Sequence, residues 1–119
     1  MYFKNNKELG SWGEKRASEY LIENGYVIIE SNYRTNMGEI DIIALNKDFL
    51  VFVEVKTRRN SFFGPPQAAV GYSKQKKIKN IALYYLLNSE YRKYDLRFDV
   101  ISILYSNEEI KIEHFKNCF

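Results

Sequence analysis

Two strongly apolar runs, G-E-I-D-I-I-A-L and F-L-V-F-V-E-V-K-T, follow one another between Gly38 and Thr57, and each carries acids where burial would make them costly. Ile and Val enrichment on either side of Asn46, Lys47 and Asp48 predicts strands over Gly38–Leu45 and Phe49–Thr57, paired antiparallel through a short turn. Side chains alternate along a strand, so Glu39, Asp41, Ile43 and Leu45 are expected on one face and Ile40, Ile42 and Ala44 on the other. In the second strand Phe52, Glu54, Lys56 and Arg58 oppose Val51, Val53, Val55 and Thr57. Apolar residues on both faces put this hairpin in the middle of a sheet covered by helices, with its charges gathered at one end.

At that end Asp41, Glu54 and Lys56 can meet. Converging carboxylates on adjacent strands make an oxygen site for a hard divalent cation, Mg²⁺ or Mn²⁺, whose coordination water or a substrate phosphate completes. Lys56 is two residues from Glu54 on the same face, and adds a point charge able to orient water or to stabilise a pentacovalent phosphate. The pattern is the apparatus of metal-assisted phosphodiester hydrolysis. An E-x-K triplet alone would read as a structural ion pair at a strand end with Asp41 solvated; an acid in the neighbouring strand, with E-x-K inside a run of valines, weighs against that reading.

The same residues carry a resemblance. I-D, a spacer and V-E-V-K resemble the reduced signature of the PD-(D/E)xK nuclease superfamily, with Ile40 where the signature has proline. More closely, N-Y-R-x-x-x-G-E-I-D-I-I-A from Asn32, followed by V-F-V-E-V-K-T-R from Val51, is similar to the YraN family of small bacterial endonuclease-like proteins, which resembles the archaeal Holliday junction resolvases in size and arrangement. The similarity runs from Gly10 to about Val100. It implies an α/β restriction-endonuclease-like core, a mixed five-stranded sheet flanked by helices, with Asp41 and Glu54 holding Mg²⁺ or Mn²⁺; DNA is the substrate and partner expected once the basic residues are added to it. Assembly stays open, with a homodimer as one option, since resolvase-like proteins act as dimers so that two sites meet two strands.

Lys7 to Asn24 reads as a first helix with an apolar stripe of Leu9, Trp12, Gly13, Ala17, Tyr20 and Leu21, ended by Asn24-Gly25. Gly10, Gly13 and Ala17 let such a helix approach the sheet closely. Glu14 borders the stripe; by itself it reads as a solvated acid beside Lys15 and Ser18. The resemblance reverses this, because related nucleases often bring a further acid from the first helix to the metal, and Glu14 becomes the third catalytic and metal-binding candidate. Tyr26 to Tyr33 opens with the strand Y-V-I-I and runs into a polar turn, S-N-Y-R-T-N, whose Arg34 either contacts phosphate or neutralises Glu39 and Asp41. Glu39 is a second ligand or an outer group, ranked below Asp41.

Arg59 to Pro66 is the clearest loop, where Phe62 or Phe63 either packs on the core or wedges against a base. Gln67 to Val70 is expected to form a helical turn, and Ser73 to cap a second helix over Lys74–Asn88 with a buried stripe of Ile78, Ile81, Ala82, Tyr85 and Leu86. Lys74, Lys76, Lys77 and Lys79 crowd its N-terminus, where cations oppose the helix dipole. Strands follow over Leu96–Leu104 and Ile110–Phe115, with Asp99 expected to pair with Arg97 or to cap backbone groups.

At 119 residues the chain is one domain. The net charge of +3 hides an asymmetry: from Lys56 to Arg97 ten Lys or Arg stand against two acids, Glu90 and Asp95. A basic face beside an acidic pocket fits nucleic acid, with Arg34, Arg58, Arg59, Lys74, Lys76 and Lys77 as the phosphate contacts; a solvated basic surface is the plainer alternative. High aromatic content favours a tightly packed core over base stacking. Cys118 has no partner for a disulfide, and His114, equally alone, offers no relay for a Ser/His/Asp triad. Without an apolar leader or membrane-length run, a cytoplasmic protein is expected. From a different class comes a DNA-binding accessory protein with the same fold and weak or no catalysis. RNA as substrate stays open.

Overall fold

The computed structural model describes residues 3–59 and 70–119. Its elements run α1 (Asn6–Glu23), β1 (Val27–Thr35), β2 (Gly38–Asn46), β3 (Phe49–Arg58), α2 (Tyr72–Leu87), β4 (Asp95–Ser106) and β5 (Glu109–Phe115). They build an α/β fold around one five-stranded sheet with strands in chain order. Every neighbouring pair is antiparallel except β3 and β4, which run parallel and are joined across α2. This mixed sheet is compatible with a restriction-endonuclease-like core. The expected loop aromatics Phe62 and Phe63, and residues 67–69 of the expected helical turn, lie outside the described residues; Val70 is buried.

The central hairpin turns through Lys47 and Asp48, and Lys47 adopts the left-handed conformation at φ 54°. Asn107 and Glu108 both take positive φ between β4 and β5, as a two-residue turn compatible with right-handed strand twist requires. Each face of the sheet has its own core. Ile42, Ala44, Val51, Val53, Ile101 and Ile103 pack beneath Ala17 and Leu21 of α1. Ile43, Leu50, Phe52, Phe98 and Val100 pack beneath Ile78, Ile81 and Ala82 of α2. Full burial of each large side chain stabilises by about 1.5–3 kcal/mol, so two complete layers explain why so small a chain holds two-sided strands.

α1 starts at Asn5, whose Oδ1 accepts the Glu8 amide at 2.9 Å, satisfying one of the free first-turn donors. It sits tightly on β3: a methyl group built on Gly13 would fall inside the Thr57 side chain, whereas one on Gly10 meets nothing within 4 Å. Close approach therefore rests on Gly13 and Ala17, and Gly10 has no part in it.

Three expectations fail locally. Ser31 to Arg34 is not a polar turn but the outer half of β1, bent by a bulge between Ile28 and Glu30 and by Asn32 at φ 52°. α2 begins at Tyr72 with Gly71 at the cap position and no side-chain cap, so Ser73 does not cap it. Ile40 packs with Ile43 in the α2-side core and not with Ile42 and Ala44. Strict alternation breaks at Asp41 because the β2–β3 ladder stops at Ile42 and Val53. Beyond that pair the strands separate, and the Val55 amide donates to Asp41 Oδ2 at 2.8 Å instead of to a backbone carbonyl.

Candidate metal centre

Where β2 and β3 part, Asp41 faces Glu54. Both are buried, at 8 % and 6 % exposure, so their like charges sit close together with little solvent between them. Burial and the repulsion of the Glu54 charge push the Asp41 carboxyl up to about 8, with the Val55 amide opposing them. One turn of strand alternation further along β3 stands Lys56. Burial and the neighbouring Lys74 ammonium push its ammonium below the ordinary lysine range, against the pull of Glu54 and Asp41.

These three line one cavity of about 540 Å³ together with Glu14, Glu39, Lys74 and Lys77. Glu14 reaches it from α1, across from β3. Its carboxyl is raised by burial and by the charge of Glu39, while a hydrogen bond from Asn32 lowers it in part. In the sequence Asn32 stands out only as the first residue of the family-like motif, with no role assigned to its side chain. Its backbone is left-handed, at φ 52°, a conformation Asn tolerates better than most residues.

The basic candidates divide. Lys74 forms an ion pair with Glu54 Oε2 and so belongs to the acid pair itself. Lys77 lines the same cavity, while Lys76, one position earlier on the helix, is exposed on the flank of α2. Arg34 is exposed and pairs with Glu39 at 3.2 Å. Arg58 and Arg59 line a second cavity of about 530 Å³, which adjoins the first through Glu14, Val55 and Lys56. Arg59 also donates to the Phe3 carbonyl at 3.1 Å and lies over the Phe3 ring.

Among the described residues no three of Asp, Glu, His and Cys converge into a complete metal cage. The donor set nevertheless fits a hard divalent cation: two buried like charges at one oxygen-lined point, uncompensated except by a lysine and a proton, are what Mg²⁺ binding by one or two carboxylates with water and phosphate requires.

His114 is not alone. Its Nε2 lies 2.7 Å from Asp99 Oδ2, and its Nδ1 3.2 Å from the Tyr20 hydroxyl. A carboxylate only accepts, so Nε2 carries the proton and Nδ1 accepts from Tyr20 in the neutral ring. Arg97 donates to both Asp99 oxygens, at 3.0 and 2.8 Å, and to Tyr26, and the Asn117 amide donates to Asp99 Oδ1. Burial raises the Asp99 carboxyl, but these partners outweigh it and hold the group below the ordinary range. Asp99 faces the α1-side core beside Val53, away from the cavity, and pairs with Arg97 as the sequence suggested.

Among the described residues no helix is long and apolar enough to cross a membrane. The family model for the uncharacterised protein family UPF0102 matches residues 13–103. A UPF0102 protein of Thermodesulfovibrio yellowstonii is 49 % identical over 94 % of this chain and 96 % of its own length. One from Dictyoglomus turgidum is 46 % identical over 97 % of this chain and 99 % of its own, and one from Clostridioides difficile is 46 % identical with the same coverage. The matched span contains Glu14, Asp41, Glu54, Lys56 and Lys74, and the chain belongs to the UPF0102 family, which is the YraN family.

Proposed function

We propose that the protein is a divalent-metal-dependent nuclease that hydrolyses phosphodiester bonds of DNA, with branched or repair intermediates as the substrates to try first. The observation that carries this reading is the meeting of Asp41, Glu54, Lys56 and Glu14 on the walls of one cavity bordered by lysines. Asp41 and Glu54 would hold the cation from two strands, and Glu14 would add an oxygen from the opposite wall. A cation bound there supplies polarisation of the phosphoryl oxygen and a lowered pKa for attacking water. Lys56 places its ammonium where negative charge grows during attack, and Lys77 and Arg58 hold the flanking phosphates in the two adjoining cavities.

The test is nicking of supercoiled DNA by purified protein in Mg²⁺ or Mn²⁺. Asp41→Asn and Glu54→Gln should each abolish nicking with unchanged circular dichroism. Cutting that survives in both variants overturns the reading. One observation favours the DNA-binding accessory protein: the Lys74 ammonium already pairs in charge with Glu54. Wild-type protein that binds DNA but takes up no Mn²⁺ in calorimetric titration would decide for that alternative.

A further inference from the structure

Lys74 is the one cation of α2 that meets the acid pair directly, and helix energetics do not account for it. It stands in the first turn of α2, where positive charge opposes the dipole, and that turn holds no acid to offset it. Its side chain is 46 % exposed, yet its Nζ lies against an oxygen of a carboxylate that is 6 % exposed. The stem therefore lies in the mouth and the ammonium at the floor.

We propose that Lys74 is a tethered stand-in for the divalent cation. It occupies Glu54 Oε2 in the metal-free protein, is displaced when a cation binds, and then turns its freed ammonium to a substrate phosphate. A divalent cation on Glu54 Oε2 would stand beside the Lys74 ammonium at one atom, and the repulsion of two close positive charges makes them compete for it. Once displaced, the ammonium swings on a flexible four-carbon stem into the cavity that Lys77 and Ser73 also line. The competition keeps the buried carboxylates compensated at all times, and couples metal uptake to the appearance of a phosphate contact. The phosphate half of this inference rests on the nuclease reading; the competition half does not.

Calorimetric titration of Mn²⁺ into the full chain, without nucleic acid, tests it with wild type, Lys74→Met and Lys77→Met. Both substitutions remove one positive charge from the same cavity, but only the first removes the competitor. Lys74→Met is expected to bind Mn²⁺ roughly tenfold more tightly than wild type, and Lys77→Met within about twofold of it, as befits a screened charge. Lys74→Gln, which keeps a polar head group, should tighten binding in the same way and serves if the methionine variant does not fold. Equal affinities for the Lys74 and Lys77 variants, or weaker binding on loss of Lys74, overturn the competition. Absence of Mn²⁺ binding to wild type overturns the nuclease reading with it. With Mn²⁺ saturating, Lys74→Met should also weaken binding of a short duplex several-fold; unchanged affinity there overturns the phosphate role alone.

Discussion

Asp41 bears on the stability of the fold as well as on the chemistry of the cavity. Its carboxyl sits near 8 in the folded chain and at an ordinary 3.8 when unfolded, so between these values the folded protein holds a proton that the unfolded chain has released. By linkage, stability of the metal-free protein must fall as pH rises through that window. Urea denaturation in chelator should show a loss of about 1–3 kcal/mol from pH 5 to pH 8, and Asp41→Asn, which still accepts the Val55 amide, should flatten it. An equal slope in the variant would assign the effect elsewhere. Asp99 behaves oppositely: held below 3.8, it contributes stability that is lost only as pH falls under about 4. The acids of the hairpin were readable because two apolar strands give no other reason for them. The His114 and Asn32 contacts were not readable, because each joins residues far apart in the chain, 94 positions for Tyr20 and His114, through geometry that no local pattern encodes.

Among the elements, α1 shows how one position can fix a distance. Alanine is a better helix former than glycine by about 1 kcal/mol, and at Gly10 nothing opposes it, so Gly10→Ala should stabilise by about 0.5–1 kcal/mol. At Gly13 the added methyl meets Thr57, a short branched side chain with little room to yield, and Gly13→Ala should destabilise by about 1–3 kcal/mol. Thermal melts of the two variants should move in opposite directions; shifts of the same sign would remove Gly13 as the spacer between helix and sheet. Both helices, the hairpin and the two last strands followed from periodicity and turn residues. The outer half of β1 did not, because a polar segment paired to a strand on only one side looks like a turn in sequence. Nor did the reversal at Ile40, since period-two reasoning assumes pairing on both sides, and the β2–β3 ladder ends at Ile42 while β2 stays paired only with β1.

Over the whole molecule the expected phosphate contacts divide between two adjoining cavities: Lys74 and Lys77 line the acid cavity from α2, Arg58 and Arg59 line the neighbouring one beside α1, and Lys76 is exposed on α2. For DNA binding on this surface the affinity should fall with salt by roughly 0.9 in log–log slope for each phosphate neutralised, and Lys76→Ala with Lys77→Ala should reduce that slope by roughly 2. An unaltered slope, measured by fluorescence anisotropy across a salt series, would move the DNA to another face. The parting of β2 and β3 has a consequence of its own. At Val55 the N–H bears on the Asp41 carboxyl, with no strand partner to mask it. A single amide resonance in an ¹⁵N spectrum is thus wired to the most perturbed acid of the cavity. Anything that settles on Asp41 must register there, whatever its identity.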